Sequence, residues 1–185
     1  MNLLAQFAKQ YGTDKYPVYT DFYHTLLYPR RTWVHHVLEI GIGTPEAMRH
    51  VQNYKPGASL RMWRDYFMLA SIIGVDKDER VLFQEARIRT FQIDQDRIRD
   101  IESIDLPQFD LIIDDGSHKV DHQAGTAKQL MPHLAGNGLY IIEDVNEPNR
   151  LSSSLPFEHQ VIQCRRPDCR EIGSLILIGG ENGKR

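Results

Sequence analysis

The chain has 185 residues and a nearly balanced charge, with 22 Lys and Arg against 25 Asp and Glu and a formal net charge of −3. This length fits one ordinary domain over residues 1–185, and the charge balance argues against a broad basic surface for nucleic acid. No apolar run reaches the roughly 18 residues of a membrane span, and no signal peptide is evident. We therefore expect a soluble, cytoplasmic protein with no membrane partner.

Apolar runs typical of strands alternate along the chain with stretches of helical spacing. The strand-type runs are, in order, HHVLEIGIG, SIIGVD, IRTFQID, FDLIID, GLYIIED, FEHQVIQC and GSLILIGG. Between them, ASLRMWRDYFMLA and QAGTAKQLMPHL are predicted helices, with Ser59 as the cap of the first and AGNG as the end of the second. This alternation predicts an α/β fold with a parallel sheet and helices on both faces, and the last two strands are close enough to form a hairpin.

Five of these predicted strands end in glycine or acidic residues. The tips are Gly41, Asp76, Asp94, the pair Asp114 and Asp115, and the pair Glu143 and Asp144. In open α/β sheets, ligands bind at the carboxyl ends of the strands. A single acid at such a position can simply cap the helix that follows, but five polar tips together indicate a ligand site.

The loop EIGIGTPE after the first strand contains Gly41 and Gly43 as a G-x-G pair, which lets the backbone approach a ligand closely. Glu46 stands where the dinucleotide fingerprint has its third glycine. A helix N-terminus that carries an acid is poorly suited to a pyrophosphate, so a nicotinamide-dependent oxidoreductase is the less favoured alternative. A ligand with a positive centre and no phosphate suits this loop better.

The second and third strand tips carry side chains that suit a nucleoside. The carboxylate of Asp76 can accept hydrogen bonds from both hydroxyls of a ribose. Asp94 and Gln95 could reach the amino group of an adenine. These positions predict where the nucleoside part of a cofactor would lie along the rim of the sheet.

The two acid pairs after the fourth and fifth strands are expected on one rim, because neighbouring parallel strands lie about 4.8 Å apart. Four carboxylates that close repel one another, and a divalent cation would relieve the repulsion. Ligation by carboxylate oxygens suits magnesium. The alternative is that these acids cap helices or lie on the surface.

Five segments together resemble the class I S-adenosylmethionine-dependent methyltransferases: VLEIGIG, GASLRMWRDYF, IIGVD, FDLIIDDGSH and GLYIIEDV. More closely, the chain is similar to the metal-dependent sugar O-methyltransferases of macrolide tailoring and to relatives often labelled cephalosporin hydroxylase. The N-terminal YGTDK belongs to the same resemblance, which covers residues 11–180. It implies a three-layer Rossmann-like methyltransferase fold, with a mostly parallel seven-stranded sheet and a C-terminal antiparallel hairpin.

The resemblance implies bound S-adenosylmethionine and Mg²⁺. The residues assigned to the cofactor are Thr13, Glu39, Gly41, Ser59, Asp76, Asp94, Gln95 and Asp114. The resemblance selects Asp115, Glu143 and Asp144 as magnesium ligands. Strand alternation then turns Asp114 the other way, towards the cofactor.

His118 matches the general base of the family, and a neutral imidazole beside the metal could take the proton of an acceptor hydroxyl. His122 lies four residues further on, so a helix beginning here would place both rings on one face, and its role is left open between catalysis and support. Residues 1–30 are expected to form an N-terminal helical lid in which YGTDK covers the cofactor. The alternative for this motif is an ordinary helix that starts at TDK.

The function implied by the resemblance is S-adenosylmethionine-dependent, magnesium-assisted O-methylation of a hydroxyl on a sugar or a glycosylated small molecule. A non-catalytic S-adenosylmethionine-binding domain is a further alternative, although the complete set of acids and His118 argue against it. A homo-oligomer is an open alternative to a monomer.

Overall fold

The computed structural model describes residues 1–165 and 172–179. The strands of this part are β1 (His36–Ile40), β2 (Ser71–Asp76), β3 (Gln84–Glu85), β4 (Ile88–Gln92), β5 (Phe109–Asp114), β6 (Leu134–Ile142), β7 (His159–Arg165) and β8 (Ile172–Gly179). The helices are α1 (Leu3–Tyr11), α2 (Thr20–Leu27), α3 (Ala58–Tyr66), α4 (Val120–Leu130) and α5 (Pro148–Ser154). Short 3₁₀ segments occupy Tyr28–Arg30, Glu79–Val81, Gln95–Ser103 and Met131–His133. Among these described helices, none has the length and apolar character needed to cross a membrane.

The strands form one mixed sheet in the order β3-β4-β2-β1-β5-β6-β8-β7. The strands β4, β2, β1, β5 and β6 run parallel, and β7 and β8 form the predicted antiparallel hairpin. The expected fold is therefore confirmed, with one additional strand. The eighth strand is β3, which pairs two residues antiparallel with β4 and is too short to show an alternating pattern in the sequence.

Two hydrophobic cores lie on opposite faces of the sheet. On one face, α1, α2 and α3 pack against the strands, and Tyr23 and Trp63 are fully buried there. On the other face, α4 and α5 pack against the strands with Leu130 at the centre. Successive side chains of β5 pack alternately into the two cores, since Leu111 belongs to the first and Ile112 to the second. This alternation decides which strand-tip side chains face the N-terminal helices.

The structure corrects the predicted cap of α3, excludes the alternative of a helix that starts at TDK, and places the AGNG segment. Ser59 does not cap α3, because the helix begins at Ala58 and the cap position is Gly57, whose φ of 77° is left-handed. The AGNG segment does not simply end a helix, because α4 ends at Leu130 and AGNG lies within β6. TDK does not start a helix, since α2 begins only at Thr20.

Candidate functional site

A cavity of about 470 Å³ lies at the carboxyl ends of β1, β2, β4 and β5. Strand order reverses between β1 and β5, which is where open α/β sheets bind ligands. Of the residues assigned to the cofactor, six line this cavity: Thr13, Gly41, Ser59, Asp76, Asp94 and Gln95. Its volume is in the range of small-molecule sites. Six of the eight residues that the sequence assigned to the cofactor therefore meet in one continuous cavity.

Gly41 is required where β1 meets the tip of β5. Its φ is 95°, and a Cβ at this position would lie 2.1 Å from the backbone oxygen of Asp115. Asp76 supports the same loop from β2, because its Oδ2 accepts hydrogen bonds from the amides of Ile42 at 2.9 Å and Gly43 at 3.4 Å. The loop is thus held close to the cavity by a carboxylate that itself lines it.

The segment 44–57, for which the sequence predicts neither a regular element nor a role, forms another wall of the cavity. It contains no helix or strand, and Thr44, Met48 and Tyr54 line the cavity. The Tyr54 hydroxyl donates to the backbone oxygen of Ile42 at 2.9 Å. This bond ties the segment to the glycine loop.

Asp114 faces away from Asp115, as strand alternation predicts. Contrary to the expectation, its side chain does not line the cavity. Its side chain is fully buried, and burial raises its pKa to about 7. The side-chain nitrogen of Gln95 donates to both carboxylate oxygens of Asp114, at 2.8 and 3.0 Å. The Gln95 oxygen accepts from the amide of Ser117 at 2.8 Å. Asp114 therefore reaches the cavity only through Gln95, because the turn after β5 folds over it.

Lys15 is the functional residue whose place the sequence did not reveal. Its side chain is 1% exposed, and its Nζ lies 2.7 Å from Asp115 Oδ2, 2.9 Å from Glu143 Oε2 and 3.0 Å from Glu39 Oε1. Burial lowers the pKa of Lys15, but the three carboxylates outweigh burial and hold that pKa well above its usual value. Lys15 therefore lies charged beneath the site, where a lid over the cofactor had been expected. Only its position inside YGTDK marked it in the sequence.

Glu39, assigned to the cofactor, belongs to this buried group and not to the cavity wall. It is fully buried on β1, and burial raises its pKa to about 7. Besides Lys15, Ser59 opposes this rise in the pKa of Glu39, and Ser59 does line the cavity. Its position on the same sheet face as Asp115 explains why it points under the cavity and meets the ammonium.

Two tyrosines of the N-terminal segment also contact the acids. The Tyr23 hydroxyl donates to Glu143 Oε1, and the Tyr19 hydroxyl donates to Asp144 Oδ1 at 2.6 Å. Burial and the neighbouring carboxylates raise the pKa of both phenols, so both remain hydrogen-bond donors. Together with Lys15, these tyrosines make three side chains of the N-terminal segment that contact the acid rim, which consists of the acids after β5 and β6.

His118 lies at the mouth of the acid rim in a left-handed backbone conformation, with φ of 58°. Its Nε2 is 3.3 Å from Asp115 Oδ1 and its Nδ1 is 3.9 Å from Asp144 Oδ2. The bond with Asp115 raises the pKa of His118 to about 9. Asp144 also has a positive φ, of 49°. Such backbone is uncommon outside glycine and concentrates at functional sites.

Asp115, His118 and Asp144 each offer one ligand atom, and these atoms lie within 4.8 Å of one another. A cation could be held between them. Glu143, the third ligand implied by the sequence, is 1% exposed and directs its oxygens to Lys15 and Tyr23. Each of those oxygens accepts one hydrogen bond there, and a carboxylate oxygen has a second lone pair. The group that could hold a cation therefore contains two of the three acids implied by the resemblance, with His118 beside them in place of Glu143, and carboxylate oxygens of this kind suit magnesium.

His118 and His122 do not share a helix face, contrary to the expectation. The helix α4 begins at Val120, and His118 precedes it in the left-handed turn. The ring of His122 turns to Ser117 and Asp96 instead. Both histidines line the cavity, but they face different carboxylates.

No protein-family model matches the chain. It is 35% identical over 150 residues to the 8-demethyl-8-alpha-L-rhamnosyl tetracenomycin-C 2'-O-methyltransferase of Streptomyces olivaceus, an alignment that covers 77% of this chain and 37% of the relative. It is 35% identical over 147 residues to the mycinamicin VI 2''-O-methyltransferase of Micromonospora griseorubida, which covers 77% and 36% of the two chains. The chain thus spans little more than a third of the length of these curated relatives.

Among solved structures, the chain superposes on MycE methyltransferase from the mycinamycin biosynthetic pathway, in complex with Mg, SAH and mycinamycin VI. The TM-score is 0.71 with 25% sequence identity, over 98% of this chain and 56% of that chain. A putative caffeoyl-CoA O-methyltransferase from Staphylococcus aureus gives a TM-score of 0.59 at 15% identity, over 97% of this chain and 93% of that one, which shows the fold alone.

Proposed function

We propose that this chain, which is related to the S-adenosylmethionine-dependent O-methyltransferases that modify the sugars of macrolides and similar glycosides, methylates a sugar hydroxyl of a glycosylated small molecule. The observation that carries the proposal is the arrangement of one cavity. Its walls carry six of the eight residues assigned to the cofactor, together with His118 and Asp115. A methyl donor and an acceptor hydroxyl could therefore meet in a single site.

The cavity fits S-adenosylmethionine by its chemistry. The backbone approaches closely at Gly41, and the walls carry carboxylates of Asp76 and Asp94 but no phosphate-binding loop of the dinucleotide type. Asp76 would hold the ribose, and Asp94 with Gln95 would meet the adenine. Thr13 and Ser59 also line the cavity, and Thr13 Oγ1 accepts from the amide of Lys15, so these two would contact the methionine part.

Asp115, Glu143 and Asp144 are the proposed magnesium ligands. S-adenosylmethionine held in the cavity would supply the methyl group, and magnesium held by these acids would lower the pKa of the acceptor hydroxyl. His118 takes the proton of that hydroxyl as the methyl is transferred. Lys15 holds Asp115 through Oδ2, which leaves Oδ1 directed to His118 and the cavity. Much of the rate acceleration would come from positioning.

The proposal is tested with labelled S-adenosylmethionine and a panel of glycosides, phenols and free sugars, with products detected as a mass gain of one methylene group. Methylation of glycosides alone is the expected result. Binding of S-adenosylmethionine without turnover on any acceptor would support the non-catalytic alternative. Calorimetric binding of NAD in place of S-adenosylmethionine would overturn the assignment of the cavity.

Replacing Asp76 with alanine is expected to weaken S-adenosylmethionine binding roughly 10- to 150-fold, because one or more charge-assisted hydrogen bonds are lost. Titration calorimetry measures the change. Asp78→Ala is the matched control, since Asp78 lies on the same loop and pairs with Arg80. Because Asp76 also accepts from the glycine loop, thermal unfolding of both variants is recorded. An unchanged dissociation constant would remove Asp76 from the site.

Replacing Asp144 with asparagine is expected to weaken Mn²⁺ binding roughly 10- to 100-fold, the loss seen even for residues that only support metal ligands. Electron paramagnetic resonance of free Mn²⁺ measures the affinity. Asp121→Asn is the control, because Asp121 is an exposed acid that pairs with Arg150. Activity should also stop with a chelator and return with Mg²⁺. Full activity in metal-free buffer would contradict the metal assignment.

A further inference from the structure

We propose that His122 is a positioning residue for the cofactor, and that it holds the adenosine end of the cavity closed. The inference rests on the proposed function, since it takes the cavity to be the S-adenosylmethionine site. It gives His122 a role separate from that of His118, although the two histidines stand only four residues apart in DDGSHKVDH.

The ring of His122 joins three separate segments of the fold. Its Nδ1 lies 2.8 Å from the hydroxyl of Ser117, in the turn after β5. Its Nε2 lies 2.6 Å from Asp96 Oδ1, in the 3₁₀ segment after β4. His122 itself is on the first turn of α4. A carboxylate only accepts, so Nε2 carries the proton given to Asp96, and Nδ1 shares a second hydrogen bond with the Ser117 hydroxyl.

The same two segments are joined a second time by the neighbouring residue Gln95. Its side-chain oxygen accepts from the amide of Ser117, and its side-chain nitrogen donates to Asp114. Gln95 is a proposed adenine contact. It directly precedes Asp96, the residue that His122 holds, so the His122–Asp96 contact supports the segment that would meet the cofactor. Loss of the His122 bridge would leave the segment after β4 tied to the turn by Gln95 alone.

His122 also stands between the cavity and a second groove. Three residues line both spaces: Gln95, Asp96 and His122. Beyond them the groove is lined by charged side chains of the 3₁₀ segment and α4, such as Arg97 and Lys128. The His122–Asp96 pair therefore forms the partition, and its removal would open the adenosine end of the cavity to water.

The contacts of His122 differ from those of His118 in a way that kinetics can detect. His118 lies against Asp115 and Asp144, whereas Asp96 is the carboxylate paired with His122. Asp96 lies outside the proposed metal ligands. A change at His122 should therefore appear in cofactor affinity, and a change at His118 in turnover.

The test measures binding of S-adenosylmethionine and S-adenosylhomocysteine by calorimetry, together with KM and kcat, for His122→Ala and His122→Gln. His122→Ala is expected to raise both dissociation constants, and the KM for the donor, about 10-fold, because two hydrogen bonds are lost and both ligands carry the same adenosine. The kcat should change little by comparison. His122→Gln should recover most of the affinity, since its amide can accept from Ser117 and donate to Asp96. Asp96→Ala should resemble His122→Ala.

His133→Ala is the matched control, because His133 lies in the 3₁₀ turn after α4, away from the cavity lining. Thermal unfolding of each variant shows that the fold is retained. If the unaltered protein binds S-adenosylmethionine and His122→Ala binds it equally well, the inference is wrong and the proposed function stands. A fall in kcat with unchanged affinity would also overturn it. If the unaltered protein binds no S-adenosylmethionine, the proposed function itself fails.

Discussion

Replacing His118 with alanine is expected to lower turnover about 10²- to 10⁴-fold, the usual contribution of a positioned general base. Binding of S-adenosylmethionine should persist, because the carboxylates that His118 contacts, Asp115 and Asp144, are not among the residues assigned to the nucleoside. Single-turnover assays with saturating donor and acceptor measure the loss, and calorimetry measures the retained affinity. A variant that keeps the rate of the unaltered protein would show that His118 is structural.

The pH dependence sharpens this prediction. A general base must be neutral, so the rate should rise with pH through the apparent pKa of the imidazole. In the ion-free protein, the bond with Asp115 raises that pKa to about 9, which leaves the ring protonated at neutral pH. A cation beside Asp115 opposes this effect, because it disfavours the imidazolium. Added Mg²⁺ should therefore move the rising limb to lower pH.

The alanine variant gives the control for that limb. It should lose the part of the profile that belongs to the imidazole, at every magnesium concentration. If the variant shows the same rising limb, the group that titrates in this limb is not His118. NMR titration of the ring carbons of His118, with and without Mg²⁺, assigns the limb directly.

Replacing Lys15 with methionine is expected to lower the free energy of unfolding by about 3–5 kcal/mol, the cost of removing one partner from a buried ion pair. Methionine has nearly the same length but no charge, so the change isolates the ammonium. Without it, Glu39 and Glu143 would be buried acids with no cation in contact. Since domains are stabilised by only about 5–15 kcal/mol, this loss is large. Chemical denaturation measures it.

A second substitution separates charge from packing. Adding Glu39→Gln to Lys15→Met should recover part of the lost stability, because it removes one buried charge that the lysine neutralised. Lys128→Met is the control, since Lys128 is an exposed residue of α4. A loss no larger than that of the control would mean that the three carboxylates do not depend on Lys15. Equal stability of the single and double variants would remove Glu39 from the cluster.

The arrangement of the strands and the general position of the site follow from the sequence alone. Apolar runs that alternate with helical spacing predicted the parallel sheet and the terminal hairpin, because burial on both faces requires such runs. Gly41, Asp76 and Asp94 could be assigned to one rim since parallel strands bring their carboxyl ends to the same edge. The sheet, the hairpin and the shared rim depend on residues that are close in the chain or on the common direction of the strands. Local sequence patterns can therefore predict them.

Only the tertiary structure decided which acids meet which partners. Lys15 is separated by 100 residues from Asp115 and by 128 residues from Glu143, and no periodicity links a lysine in a loop to strands that distant. Helical spacing put His122 beside His118, but His118 lies in a left-handed turn before the helix, and the two rings face different carboxylates. Sequence patterns report which side of an element is buried. The pairing of buried charges depends on how separate elements pack, and that is determined by the whole fold.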